Sequence, residues 1–346
     1  MTNHFPVDPL LSEPIRDIYF DKDRDAWVVS RYDDVLAVFR SRLLHLVGPR
    51  SKLKTDQSAA CSAAGNDEWL RMRAETRHAL APEVLSGWKN EITGLAQQIL
   101  DKFPIRRPVD LVHEYAEPVC RRLAVLATGI APVEAESLSV FAAEISASAA
   151  EPFDHSLAAK AKAAEGQLRP YFHTGPLSLR DSGFVALSQT LAHMLANIWL
   201  ALIQQPSAWN RLHQEPALTP RAVEELLRYA GLTRILFRMA SQPTHVNGTA
   251  IHKGDRLILR IAQANRDPAH FHDADSLDIS RRYINHFSLG NGRNSCVGAP
   301  LIRMALVSLT FLLVNRYREA VLCQEITDWR GGAGFRFPGA LQVYLQ

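Results

Sequence analysis

The residues with the most chemical content lie in the run His286-Phe287-Ser288-Leu289-Gly290-Asn291-Gly292-Arg293-Asn294-Ser295-Cys296-Val297-Gly298-Ala299-Pro300-Leu301-Ile302-Arg303. Gly290 and Gly292 allow a tight loop with positive φ and close backbone approach to something flat. Cys296 stands just ahead of a helical run whose first turn holds Pro300, a favoured early position because its missing N–H has no intrahelical partner. A thiol there meets the positive end of the helix dipole and unpaired backbone N–H groups, which favour thiolate. A thiolate held by a glycine-rich loop is a soft ligand suited to iron. A lone cysteine is more often a buried structural thiol beside a turn, but the spacing across these eighteen residues argues against that reading.

The elements that must position this loop are mostly helical. Periodicity predicts helices at about 67–80, 84–103, 110–129, 133–150 and 155–170. A long one follows at about 181–204, capped by Asp181 or Ser182, then others at about 219–230 and 299–317. Near the start, Ala26–Ser30 reads as a strand, followed by a short amphipathic helix over Arg31–Arg40 with Asp33 as N-cap. A polar Ser/Ala-rich loop lies between Leu46 and Asn66. Strand chemistry otherwise appears only from Leu232 to Ile261, in Thr233–Arg238 and Arg256–Arg260 around the turn signal Val246-Asn247-Gly248. A meander rich in Gly, Asn, Asp and Pro runs from Asn265 to Asn294. The expected layout is mainly α with one small sheet late in the chain, as a single domain over residues 1–346.

Composition bounds the rest. With 47% hydrophobic and 22% charged residues among 346, the chain is a globular protein able to bury a large core. No stretch is expected to span a membrane, and Met1–Ser30 has no basic-then-apolar leader, so a cytoplasmic protein with no membrane partner is expected. Four cysteines without C-x-x-C spacing suggest neither a zinc site nor a disulfide framework. A net charge of +3 is too small to argue for nucleic acid.

The loop around Cys296 resembles the haem-ligand loop of the cytochrome P450 superfamily, H-x-x-F-G-x-G-x-H-x-C-x-G-x-x-L-A-R. His286, Gly290, Gly292, Cys296, Gly298, Leu301 and Arg303 match; Leu289 stands for the usual Phe, and Asn294 for a His or Arg that contacts a haem propionate. The resemblance extends to Ala264-Asn265-Arg266-Asp267-Pro268 and Leu277-Asp278-Ile279-Ser280-Arg281, which are similar to A-N-R-D-P and F-D-I-T-R of bacterial members. It covers Asp181 to Arg303 continuously, with weaker echoes from Arg31 onward. It implies the fold of that family, a helix-rich triangular domain with a small β-sheet, and haem b as cofactor with Cys296 as axial ligand.

Further site residues follow from the same resemblance. Glu225 and Arg228 form an E-x-x-R pair, by itself an ordinary helical salt bridge; in the family such a pair is buried and holds the meander. Where the family adds a meander arginine, the aligned residue is Ser276. Trp69 and Arg73, one turn apart, match an aromatic and an arginine that grip a propionate, and Arg238 aligns with another propionate-binding arginine, with Arg234 as a nearby alternative. Leu289, Gly290, Asn294 and Gly298 complete the haem contacts. The oxygen-binding helix of the family, A-G-x-(D/E)-T-T, aligns with Ala186-Leu187-Ser188-Gln189-Thr190-Leu191. Thr190 is retained, Gln189 replaces the acid and Leu187 the glycine. A neutral amide cannot act as a general acid, so proton delivery falls to Ser188, Thr190, water or substrate.

The resemblance thus implies a haem-thiolate monooxygenase that oxidises a small apolar or specialised-metabolite substrate with O2. Its electrons would come from a ferredoxin-type donor and its reductase, docked near Arg71, Arg77, Arg282 and Arg293. Two alternatives stay open: a peroxide-driven or non-oxygenating haem-thiolate enzyme, suggested by Leu187 and Gln189, and a catalytically silent haem-binding or recruiting module. The chain is short for the family before Ala26 and between Glu151 and Asp181, where the substrate roof normally lies, so an open or partner-completed pocket is a further expectation.

Overall fold

The computed structural model describes residues 13–48, 63–104, 107–172 and 181–346, with the side chains of residues 63–69 and 181 outside the description. In chain order the helices are α1 (Tyr32–Arg40), α2 (Ala63–Ala79), α3 (Pro82–Leu100), a π-helical turn (Leu111–Ala116) leading into α4 (Glu117–Thr128), α5 (Pro132–Ala150) and α6 (His155–Leu168). Then come α7 (Asp181–Val185), a second π-turn (Ala186–Thr190) and α8 (Leu191–Ile203), which run on as one rod. After them lie α9 (Pro206–Gln214), α10 (Thr219–Ala230), the short α11 (Ile261–Ala264) and α12 (Ala299–Arg316).

A five-stranded sheet joins β1 (Tyr19–Asp21), β2 (Ala26–Val29), β3 (Leu44–Leu46), β5 (Ile235–Ala240) and β8 (Arg256–Arg260) in the order β1-β2-β8-β5-β3. Only β2 and β8 pair in parallel, with Val28 opposite Ile258. β4 (Val109–Asp110), β9 (Ala320–Leu322) and β12 (Gln342–Leu345) make a second sheet; β6 (Thr244–Val246) with β7 (Thr249–Ile251), and β10 (Trp329–Gly331) with β11 (Arg336–Pro338), are hairpins.

Most of the expected helices are present, and the differences have local causes. Asp33 does not cap α1: its first N–H, on Tyr32, instead donates to Asp267 at 2.8 Å, a partner 235 residues away. Residues 110–129 divide at the π-turn, where Asp110 accepts from the N–H of Val112 at 2.9 Å and of Leu341 at 3.0 Å. The helix α9 and the C-terminal strands were not expected. Those strands are three or four residues long, too short to show alternation, and β12 takes its partners from β9 and from β4, more than two hundred residues earlier.

The expectation that no stretch could span a membrane is corrected by length and composition alone. Ser182–Ile203 and Ala299–Arg316 are both long and apolar enough, and a third span would count if Leu111–Thr128 and Pro132–Ala150, bent by 109°, formed one. The fold spends their apolar surface on its own core instead, since 78% and 56% of the two apolar windows are buried. A helix hydrophobic on all sides has no face to offer water and becomes a central element. In α8 the Trp199 indole donates to Thr310 of α12 at 3.0 Å and stacks on Tyr115, centroids 5.2 Å apart.

A second core lies under the sheet, where Tyr32, Phe39, Phe271 and Phe287 are all buried. Tyr32 stacks on Phe287 at 4.5 Å, and its hydroxyl donates to the Asn285 carbonyl at 2.7 Å. This core braces the meander just before the cysteine loop.

Candidate active site

The loop is shaped by backbone bonds that its glycines permit. Gly290 has φ +71°, and a Cβ there would lie 3.0 Å from the Asn294 carbonyl oxygen; Gly292 has φ +61°. The Gly290 N–H donates to Phe287 at 2.8 Å and the Cys296 N–H to Leu289 at 2.7 Å, closing the loop on itself. Gly298 is the N-cap of α12. Leu289 is buried in the main core, and Asn294 is half-exposed. The Cys296 side chain is accessible, while Leu289 before it and Ala299 and Leu301 after it are buried.

The expectation of a thiol poised as thiolate is only partly met. Burial on the protein side raises the Cys296 thiol above its ordinary value; bonds from the N–H groups of Gly298 and Ala299, and the charges of Arg73 and Arg303, pull the other way without winning. A coordinated metal deprotonates a thiol outright, so the helix start assists ligation but does not by itself ionise the sulfur.

Two side-chain acceptors hold the loop from behind, and sequence reasoning missed both. Glu224 accepts from His286 Nε2 at 3.2 Å and from Arg303 at 2.7 and 3.0 Å, tying the first and last motif residues to one carboxylate on α10. Burial alone would raise this carboxyl, but those bonds bring it to about 2. Asn265 accepts from the Phe287 N–H at 2.7 Å and donates to Ser288 at 2.9 Å. What reads in sequence as a turn segment is therefore a junction, with Asn265 on the loop, Asp267 on α1, and Arg266 on the Tyr229 carbonyl at 2.8 Å. The signal available was the polarity of consecutive residues that are nonetheless buried.

Glu225 and Arg228 are 0% and 2% exposed and bond twice, each at 2.8 Å. Arg228 also donates to the carbonyls of Asn265, Ala274 and Ser276 at 2.7–3.0 Å. The alignment of Ser276 with the family's meander arginine is corrected here. Arg281, in the Leu277–Arg281 segment, donates to Glu225 at 3.1 Å and completes the network, while Ser276 contributes only its carbonyl.

Of the basic residues, Arg73 donates to the Ser295 carbonyl at 2.7 Å, which places it against the loop. Trp69 lies on the same helix one turn earlier, but its side chain is outside the described residues. Arg234 is held by the Gly332 carbonyl, on the β10–β11 hairpin, which favours Arg238 over it. Arg238 is 1% exposed, its Nε has no hydrogen-bond partner, and it pairs with no carboxylate among the described residues. Burial alone pulls it to about 10. Its Nη1 donates to the Phe237 carbonyl at 2.8 Å and the group lies over the Phe39 ring, but a buried guanidinium without an acid is costly unless an anion meets it.

On the distal helix the π-turn sorts the expected residues onto two faces. Ala186 is exposed and Gln189 and Thr190 half-buried, forming one accessible row. Leu187 and Ser188 are buried, the latter with an unpartnered hydroxyl. Ser188 therefore differs from Gln189 and Thr190 in burial, and makes no hydrogen bond to either. Leu187 likewise turns its bulk into the core, and the small Ala186 lines the open side. One residue the sequence reading passed over is His193, the only residue of α8 that is not buried, whose ring stacks on Phe337 at 3.5 Å.

These residues fit a haem. No group of three or more His, Cys, Asp or Glu that could hold a metal ion occurs among the described residues, so an iron held by Cys296 would need its remaining ligands from a bound group such as a macrocycle. The unpaired Arg238 and the tight glycine loop suit the carboxylates and flat face of such a group. The fold and this site together are those a haem-thiolate protein would have, and the chain is similar to the cytochrome P450 superfamily of monooxygenases. The family pattern described as Cytochrome P450 matches residues 181–326. The chain is 26% identical to cytochrome P450 YjiB of Bacillus subtilis strain 168, covering 86% of this chain and 83% of that protein. Linalool 8-monooxygenase of Pseudomonas putida is 33% identical across 45% of this chain and 40% of its own length. The crystal structure of P450BioI with hexadec-9Z-enoic acid ligated acyl carrier protein superposes at TM-score 0.87 and 21% identity, covering 98% of this chain and 99% of that one.

The unpaired Arg238 gives an expectation with opposite signs in two forms of the protein. Arg238→Met should raise the melting temperature of haem-free protein, because it removes an uncompensated buried charge. The same change should speed haem transfer to a scavenging apo-globin by about 10- to 100-fold, the equivalent of one charged hydrogen bond of about 1.5–3 kcal/mol. Unchanged transfer would remove Arg238 from the haem site.

Proposed function

We propose that the chain is a cytoplasmic monooxygenase that inserts one atom of O2 into a small apolar or specialised-metabolite substrate. Haem b is its cofactor, and a ferredoxin-type protein with its reductase supplies its electrons. The observation that carries this reading is an accessible thiol on a closed glycine loop, together with Thr190 on the accessible row of the helix that α12 packs against. When bound, the haem supplies a thiolate-ligated iron that activates oxygen. Cys296 holds the iron, Arg73 and Arg238 hold the propionates, and the Glu225–Arg228–Arg281 network keeps the loop at a fixed height. The Thr190 hydroxyl donates to the oxygen side, while Gln189 orients hydrogen bonds through its amide without titrating. Arg71, Arg77 and Arg282 are exposed and Arg293 half-buried, which supports docking of a small acidic donor. A biosynthetic role has support from a biotin-biosynthesis and a polyketide-biosynthesis cytochrome P450 of Bacillus subtilis, 24% and 25% identical to this chain.

A peroxide-driven reaction is the second reading, favoured by Gln189 at the family's acid position. A substrate found by its shift of the haem spin state separates the two. With oxygen and an electron donor, Thr190→Ala should raise the share of reducing equivalents lost as hydrogen peroxide several-fold, while product falls. Product from added peroxide without a donor, together with a Thr190→Ala variant as productive as the parent, would establish the second reading.

A further inference from the structure

Arg303 stands in the second turn of α12, the helix that starts just after Cys296. Helical side chains lean toward the N-terminus of their helix, so the guanidinium leans back toward the sulfur, and the two groups feel each other's charge. Glu224 on α10 meets that guanidinium as a fork. Nε of Arg303 donates to one carboxylate oxygen at 2.7 Å and Nη2 to the other at 3.0 Å.

The third member of the cluster settles the charge count. The Ser288 N–H donates to Nδ1 of His286 at 3.2 Å, so that nitrogen is bare and the proton lies on Nε2, which donates to Glu224 at 3.2 Å. His286 is neutral in this arrangement, and the cluster holds one negative and one positive charge. Burial would raise the Glu224 carboxyl, but its bonds bring it to about 2, so it is ionised near neutral pH. Hydrogen bonds alone could tie His286 to Arg303. What the carboxylate adds is a charge that cancels the guanidinium.

We propose that Glu224 is a positioning residue for the ligand sulfur, acting through Arg303: it balances that cation and so keeps Cys296 electron-rich toward the iron. This rests on the reading of Cys296 as the haem ligand. An unbalanced cation beside the sulfur would stabilise the more negative, reduced state of the site, whereas an ion pair presents little net charge to it. Electron donation by thiolate is the property that favours O–O cleavage in haem-thiolate oxygenases. No bond is made or broken in this role and no proton moves. The side chains of Glu224 and Arg303 are 27% and 42% exposed, so solvent screens their field and the expected shift is modest.

The test is a redox titration of the substrate-free, haem-loaded protein. Glu224→Gln keeps the shape but frees the charge of Arg303; it should shift the ferric–ferrous equilibrium toward ferrous by about threefold, a rise of about 28 mV at 59 mV per tenfold. Arg303→Gln leaves the carboxylate unbalanced and should shift the equilibrium toward ferric. With both charges gone, the double variant should return to within about 1.5-fold of the parent. Loosening the cluster from either end would instead move both single variants in one direction. In the reduced, carbon monoxide-bound protein the C–O stretch should rise in Glu224→Gln and fall in Arg303→Gln, following donation from the sulfur. If Glu224→Gln does not load haem, Glu224→Asp, which keeps the charge, should hold the parent potential while Arg303→Gln lowers it. Single variants that shift the same way, or a potential indifferent to both, would overturn the inference alone. A parent without the red-shifted thiolate band sinks the haem-ligand reading, and the inference with it.

Discussion

Cys296→Ala is expected to abolish the strongly red-shifted Soret band of the reduced, carbon monoxide-bound protein and to drop product formation to background. The substitution removes the sulfur and little else. The loop closure uses the Cys296 N–H, which donates to Leu289, and the positive φ of Gly290; both survive an alanine. Loss of the band will therefore report ligation rather than collapse of the loop. The other described cysteines cannot substitute, since Cys120 is buried with its thiol driven far up by desolvation and Cys323 lies in the loop after β9. Haem retained by this variant would measure the grip of Arg73 and Arg238 without the sulfur. A normal band in Cys296→Ala would overturn the assignment.

Glu225→Ala should yield insoluble or haem-free protein. Its carboxylate accepts four hydrogen bonds besides the two ion pairs they partly form: two from Arg228 at 2.8 Å, one from Arg281 at 3.1 Å and one from the Asp278 N–H at 3.0 Å. Alanine would strand the Arg228 guanidinium, whose side chain is 0% exposed. Breaking such a buried pair costs about 3–5 kcal/mol, against a total stability of about 5–15 kcal/mol for a folded domain. The meander and the loop above it would lose their anchor first, because Arg228 also holds the carbonyls of Asn265, Ala274 and Ser276. Glu225→Gln, which keeps the shape and part of the hydrogen bonding, should fall between parent and alanine in soluble yield. A folded, haem-loaded Glu225→Ala with merely slowed turnover would show that the residue is not structural.

The helices were legible in sequence because they are long, and a period repeated over three or more turns outweighs local noise. The nucleophilic end of the site was legible too, because Gly290, Gly292, Cys296 and Gly298 are neighbours in the chain and their spacing is itself the geometry. Residues that meet only in space were not. Glu224 looked like one more charge on an amphipathic helix, yet it closes the clamp between His286 and Arg303. Arg281 was overlooked in favour of Ser276, since alignment by position says nothing about which side chain reaches Glu225.

What the sequence determined by itself is the chemistry of the ligand: a soft sulfur donor, at a helix start, in a loop that only glycine can close, on a mainly α chain. Those properties are local, set by φ, by cap position and by residue type. The tertiary structure decided which polar groups are paired and which face they share. It completed the Glu225 network through Arg281, left Arg238 buried without an acid, and turned Ser188 and Leu187 into the core. Burial is the physical reason. The cost of a charge and the availability of a proton depend on desolvation and on partners tens or hundreds of residues away, and neither is a property of any one stretch of chain.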